Sequence, residues 1–231
     1  PDARSDKAPR RGVLSGTLSE EPPERHRRWV FFSSLLGGGV MGFFDLAAPF
    51  YDRILHRAQS HQLRYVARFL SPRPGEKILD VGAGTGVLLA QLHGQGAQVT
   101  GLDRSSAMLR EAEKACPGCQ LVLGEATAMP FPDGSFDAVA CVDALHHFPV
   151  REKALSEMIR VLKEGGRLAI LDLERRHWLT RLIQSGEWLL AERSHFYSAE
   201  ELAAWLTHRG VECEVEPISP VEYLIKGRKK S

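Results

Sequence analysis

The stretch Asp80-Val81-Gly82-Ala83-Gly84-Thr85-Gly86 holds three glycines at alternate positions, with a carboxylate two residues before the first. Such glycines let a backbone turn tightly and approach a ligand without a Cβ in the way. In the dinucleotide pattern, Gly-x-Gly-x-x-Gly, the loop leads a diphosphate to a helix N-terminus. Here the spacing is Gly-x-Gly-x-Gly and Val87 follows. A carboxylate such as Asp80 would repel a diphosphate but attract the ammonium of an amino acid. Asp103 ends the next apolar run and can accept hydroxyls of a ribose, as the acidic residue about 20 positions on does in dinucleotide folds. Gly124-Glu125-Ala126 ends the run after that, where a side chain and a backbone N–H can meet the edge of an adenine. Asp143, His146 and His147 follow a fourth run, and histidine suits proton transfer near neutral pH.

These residues must stand at the ends of strands. Short apolar runs at Lys77–Val81, Gln98–Asp103, Gln120–Leu123, Phe136–Val142 and Arg167–Leu173 alternate with helical spacing at Val87–His93, Ser106–Ala115 and Arg151–Leu162. That alternation predicts an α/β fold, a doubly wound parallel sheet with helices on both faces. A helical pattern over Ala48–Leu70 precedes it and stops at Ser71-Pro72-Arg73-Pro74-Gly75. Near the other end, Ser198 and Glu201 form a capping box for a helix Ala199–His208. Val211–Glu216 and Val221–Lys226 then read as strands. The linker Pro217-Ile218-Ser219-Pro220 is too short for a parallel crossover, so the pair closes a mostly parallel, seven-stranded sheet as an antiparallel hairpin.

With 30 Lys+Arg against 29 Asp+Glu in 231 residues, the chain has no electrostatic footprint for nucleic acid, and a small-molecule partner is expected. Of four cysteines, Cys116 and Cys119 have the spacing of a metal or redox half-site. No second pair completes a zinc site, so no metal is expected and the two read as incidental thiols in a turn, in a reducing, cytoplasmic setting. Residues 1–28 are too polar to offset their ordering entropy and read as disordered. The apolar run from Trp29 to Phe44 follows a basic cluster but falls short of the roughly 20 residues of a membrane helix, so stable membrane insertion is not expected. Gly37-Gly38-Gly39-Val40 before Met41 is what a ribosome-binding site would encode if translated. The expectation is an extension over 1–40 and a working domain over 41–231.

The segments Ile78–Gly86, Gly101–Leu109, Gly124–Pro132, Ser135–Phe148 and Ala154–Leu173, in this order, resemble class I methyltransferases dependent on S-adenosylmethionine. The branch they are most similar to holds the ubiquinone/menaquinone C-methyltransferases and other Rossmann-like small-molecule methyltransferases. The likeness runs from about Phe43 to Lys226, with Phe196–Lys226 as the closing helix and hairpin. It implies that Gly82, Ala83, Gly84 and Gly86 run under the methionine part of the cofactor, with Asp80 at its amino end. Asp103 would take the ribose. Arg104, Met108, Glu125, Ala126 and Val142 would surround the adenine side, although many relatives have Asp in place of Glu125. Tyr51 resembles the aromatic that closes over the cofactor, where a ring face suits a sulfonium; the alternative is a residue that packs its helix.

Methyl transfer from a sulfonium is an in-line displacement in which proximity and alignment supply most of the acceleration, about 7–11 kcal/mol. His146 and His147 are the candidate bases; the plainer reading has His147 ordering its loop. The segments Phe43–Tyr51 and Arg175–His195, the latter with Trp178, Leu182 and Trp188, would build an acceptor pocket that suits an apolar or quinol-like molecule. The same resemblance includes arsenite methylation, which Cys116 and Cys119 would serve only if near the cofactor. Competing readings are a non-catalytic module that binds S-adenosylmethionine and an NAD-dependent oxidoreductase. Methylation of nucleic-acid bases is disfavoured because Asp143-Ala144-Leu145-His146 stands where such enzymes carry Asn/Asp-Pro-Pro-aromatic.

Overall fold

The structure is a computed structural model that describes residues 62–175 and 196–231. The expectations for residues 1–40, for Tyr51 and the rest of Phe43–Tyr51, and for the segment 176–195 lie outside the described residues. Within them, helix α1 (62–70) ends where Ser71 takes a left-handed φ of 40° and donates its N–H to the Ala67 carbonyl. There follow β1 (Lys77–Val81), α2 (Val87–His93), β2 (Gln98–Asp103), α3 (Ser106–Ala115), β3 (Gln120–Leu123), β4 (Phe136–Val142), a 3-10 turn (Leu145–His147), α4 (Arg151–Val161), β5 (Leu162–Leu173), α5 (Ala199–Thr207), β6 (Val211–Ser219) and β7 (Glu222–Lys229).

The strands form one seven-stranded sheet in the order β3-β2-β1-β4-β5-β7-β6. β1 to β5 are parallel, and β7 runs antiparallel between β5 and β6. The expected class and hairpin are thus present. The strands read as unbroken apolar runs because both faces are covered. Ile78, Ala138, Ala140, Ala169 and Leu171 pack with Leu63, Leu70 and Leu89 of α1 and α2 on one face. Their alternates Leu79, Val139, Cys141, Leu168 and Ile170 pack with Leu155 and Met158 of α4 and with Leu202 and Leu206 of α5 on the other. Order reverses between β1 and β4, and in such sheets the crevice at that switch point, at the carboxyl ends of the strands, receives the ligand.

Several boundaries differ from expectation: α5 ends at Thr207 rather than His208, and β7 spans Glu222–Lys229 rather than Val221–Lys226. β5 begins at Leu162 rather than Arg167, and α4 stops one residue sooner, because Leu162 is already extended. The glycine pair permits this: between the pairs Phe136↔Leu162 and Ala138↔Arg167 the register shifts, and Gly165 there takes a φ of 71°. β6 also runs through Pro217 to Ser219, so the hairpin turn is shorter than the proposed linker. β6 lies at the sheet edge, where a residue without an N–H costs no ladder bond.

Cys116 and Cys119 are joined by a disulfide, which corrects the reading of two incidental thiols. The Cys119 N–H donates to the Cys116 carbonyl at 3.0 Å, and this tight turn brings the two Cα atoms to 5.5 Å, within bonding range. No helix among the described residues is long and apolar enough to cross a membrane.

The glycines of the first loop do different work. Gly86 caps α2 with a φ of 81°, and a Cβ there would stand 2.8 Å from the Cα of Ala112 in α3. Backbone cannot give way as a side chain can. Gly86→Ala is therefore expected to cost about 2–3 kcal/mol, combining left-handed strain with overpacking. Gly84→Ala, with nothing within 4 Å of its Cβ, should cost about 1 kcal/mol. Urea unfolding of both variants checks the order; equal losses would contradict it.

Candidate active site

The loop after β1 folds back on β2: the N–H groups of Gly82 and Ala83 both donate to the Leu102 carbonyl, at 2.8 and 3.1 Å. Gly82 has a φ of 76°, and its missing Cβ leaves room for the Cβ of Ala144, which would otherwise lie 2.5 Å away. The loops after β1 and β4 therefore touch, and a cavity opens beside them.

Four strand ends line this cavity. Asp80, Gly82, Ala83, Gly84 and Thr85 come from the β1 loop, and Asp103, Arg104, Ser105 and Met108 from the β2 end. Gly124, Glu125, Ala126 and Thr127 follow β3, and Val142, Asp143, Ala144, His147, Phe148 and Pro149 follow β4. Leu63 of α1 also contributes. Most residues expected at a cofactor thus meet in one place. Gly86 is not among the lining residues; a Cβ on it would meet Ala112 of α3. Sequence reasoning passed over Ser105, although its place before an amphipathic helix marks it as a cap. Its Oγ accepts the Met108 N–H at 3.2 Å and so fixes the α3 N-terminus at the cavity wall.

Two carboxylates carry the electrostatics. Asp103 accepts the Gly84 N–H on Oδ2 at 2.9 Å and the Ser105 N–H on Oδ1 at 2.8 Å. Burial raises its pKa, and these hydrogen bonds pull the other way. Asp80 is 3 % exposed, and its Oδ1 has no hydrogen-bond partner. Burial, and then the charge of Asp103, pushes its pKa up to about 7. A buried carboxylate oxygen without a donor costs free energy until a cation or N–H reaches it. The cavity wall therefore presents an acceptor oxygen with no donor at this point.

The two histidines part company. His147 lines the cavity. Burial, then the neighbouring His146, lowers its pKa to about 2, so it is neutral near pH 7. His146 is 6 % exposed and does not line the cavity; its Nδ1 lies 2.6 Å from Oδ1 of Asp172, itself 2 % exposed. A carboxylate there selects the tautomer with the proton on Nδ1. The His146 ring meets two others at a tilt, His147 at 4.0 Å between centroids and Phe196 at 4.6 Å. Asp172 and Phe196 were not foreseen, since 26 and 50 residues separate them from His146 and only the pairing of β4 with β5 unites the first pair. Asp143 holds a left-handed φ of 48°, which re-aims the chain into this turn.

Known proteins resemble this chain in sequence and in fold. Residues 79–170 match a family described as a methyltransferase domain. A demethylmenaquinone methyltransferase of Renibacterium salmoninarum is 34 % identical over 182 residues, which span 72 % of this chain and 77 % of that one. A 2-phytyl-1,4-naphtoquinone methyltransferase of Synechococcus elongatus is 36 % identical over 159 residues, 62 % of this chain and 67 % of that one. The crystal structure of the YcgJ protein of Bacillus subtilis superposes with a TM-score of 0.66 at 21 % identity, covering 74 % of this chain and 99 % of that one, and so shares the fold.

Proposed function

We propose, from the premise that this chain belongs to the S-adenosylmethionine-dependent methyltransferase family, that it methylates the reduced ring of a naphthoquinol bearing an apolar side chain. The observation that carries the cofactor's pose is the partnerless Oδ1 of Asp80 at the cavity wall. Asp80 holds the cofactor's ammonium. Asp103, with both oxygens fixed by backbone N–H groups, keeps acceptor capacity for the ribose hydroxyls. Arg104, Met108, Glu125, Ala126 and Val142 enclose the adenine side. When bound, S-adenosylmethionine supplies an electrophilic methyl group on a sulfonium with a neutral leaving group. A diphosphate-bearing nicotinamide cofactor fits poorly, because Asp80 would face its anionic groups.

Names of relatives support the acceptor class: two act on demethylmenaquinone and on a phytyl naphthoquinone. An electrophilic methyl group demands an electron-rich carbon, which the quinol ring has and the quinone lacks. His147 serves this step as an uncharged hydrogen-bond acceptor for a quinol hydroxyl. The His146–Asp172 pair keeps the neighbouring ring in place. An imidazole with a pKa of about 2 is a poor base, so His147 orients the acceptor and enriches its ring rather than storing its proton.

The test is product formation with isotopically labelled donor and a prenylated demethylnaphthoquinol kept reduced. Label in the ring-methylated product with the quinol, and none with the oxidised quinone, is the expected result. No label in any product, with the donor bound, would favour the non-catalytic module. His147→Ala should lower kcat about three- to tenfold, one neutral hydrogen bond, with cofactor affinity unchanged. Its loss should leave the kcat profile between about pH 5 and 9 unaltered in shape, since His147 does not titrate there.

A further inference from the structure

The disulfide lies at the amino end of β3, whereas the cavity is at the carboxyl ends of the strands; it stands just before the first residue of β3, beside the last residue of α2. That residue is His93. A ring nitrogen of His93 and the Sγ atoms of Cys116 and Cys119 all lie within 4.8 Å of one another. The ring sits against the Cys-Pro-Gly-Cys turn: a Cβ on Gly118 would stand 2.8 Å from its Nε2. Cys116 is buried, while Cys119 is half-buried and His93 exposed, so the group has an open side.

We propose that the reduced Cys116–Cys119 pair and His93 form a binding site for a thiophilic divalent cation of the zinc class, and that the disulfide is the oxidised form of the same residues, which binds no cation. Two thiolates and an imidazole are the donor set such cations prefer. Three protein ligands with a fourth position open to water is a common zinc arrangement. The alternative use of this spacing is thiol–disulfide exchange. Reactive pairs of that kind sit at helix N-termini, where the positive dipole end lowers the thiol pKa. Cys116 is instead the C-cap of α3, with its N–H donated to the Ala112 carbonyl. The negative end of a helix disfavours a bare thiolate and favours a bound cation. The turn already brings the Cα atoms to 5.5 Å, so once the bond is reduced the two sulfurs can be placed around one ion by side-chain rotation.

The chemistry balances. A dithiol reductant exchanges with the disulfide, giving two protein thiols and its own cyclic disulfide. A phosphine does the same with one water, becoming its oxide. The dication then displaces one proton from each thiol, so two protons are released per ion bound.

The full chain, reduced with a phosphine and desalted without oxygen, is titrated with Co2+ and then with Zn2+. One equivalent of Co2+ should bind with a thiolate-to-cobalt charge-transfer band, and Zn2+ should bleach it. The oxidised protein, and the Cys116→Ser/Cys119→Ser variant, should show no band. His93→Ala should weaken binding by about tenfold or more, as loss of one ligand requires. A melting shift with S-adenosylmethionine equal to that of the parent shows that each variant is folded. Absence of the band in the reduced parent overturns the proposal. So does an affinity that His93→Ala leaves unchanged, which would mean a bare dithiol.

Discussion

Asp80→Asn is expected to make the ligand-free protein more stable at pH 8 while weakening its hold on S-adenosylmethionine. Burial pushes the pKa of this carboxyl up to about 7, well above the ordinary aspartate range. The tighter hold on the proton in the folded state corresponds to something on the order of 4 kcal/mol. The folded state binds the proton more tightly, so as pH rises past about 4 the unfolded chain ionises first and stability falls. The fall is complete once pH exceeds the folded pKa of about 7. Asn carries no charge, so the variant escapes the slope, and its advantage is greatest above pH 7. At about 2–4 °C per kcal/mol, a rise in Tm of several degrees at pH 8 and almost none near pH 4 is expected. Binding moves the other way. The cofactor's ammonium wants the ionised carboxylate, so the affinity of the parent should climb with pH between about 5.5 and 7, by at most about tenfold per unit. The Asn variant should bind at least about tenfold more weakly at pH 7, with no slope in that window. Calorimetry at the two pH values and thermal unfolding at pH 4 and 8 measure all of this. A flat affinity profile in the parent would remove Asp80 from the ammonium.

This opposition between stability and binding explains why the site could be found by reading along the chain. A carboxylate in an otherwise apolar run, Ile78-Leu79-Asp80-Val81, violates the pattern that builds the strand, and such violations cluster where function demands them. Asp103 and Glu125 stand out similarly, each where an apolar run gives way to a helix or turn. The strands and the direction of their ends follow from period and from the length of the connections, which are local properties. What lies beyond reach is whatever needs two distant segments to meet. His93 and Cys119 are 26 residues apart and become neighbours only through the packing of α2 against β3's approach. Asp172 reaches His146 because β5 lies beside β4. Gly86 shows the same limit in another form: its identity was legible as a demand for a missing side chain, but whether a ligand or Ala112 fills that space depends on where α3 lands. Pro217 misled because a proline stops a central strand but not an edge strand, and edge position is a property of the whole sheet.

Asp103 offers a sharper test of how the cavity is held, because even its isostere should fail. Each of its two oxygens accepts a backbone N–H, one from Gly84 in the β1 loop and one from Ser105 at the start of α3. Asparagine has one acceptor oxygen and one NH2 group. Whichever way the amide turns, its NH2 faces one of these N–H donors, and donor against donor leaves a buried group unsatisfied at a cost of about 1–3 kcal/mol. If Gly84 is the loser, the loop drifts from the β2 end and the glycine no longer lines the cavity wall. If Ser105 is the loser, the N-terminus of α3 frays where Met108 meets the cavity. The ribose hydroxyls also lose a charged acceptor, worth about 1.5–3 kcal/mol. Together these amount to about 3–6 kcal/mol, so Asp103→Asn should weaken S-adenosylmethionine by at least about a hundredfold. The stability change at pH 7 should be smaller, because burial raises the pKa of Asp103 and removing its charge offsets part of the lost bonding. Asp103→Glu keeps the charge but moves both oxygens outward by a methylene, and it should not restore binding. Equal affinities in the parent and the Asn variant would mean that the sugar is held elsewhere and that the β2 end serves only to anchor the loop.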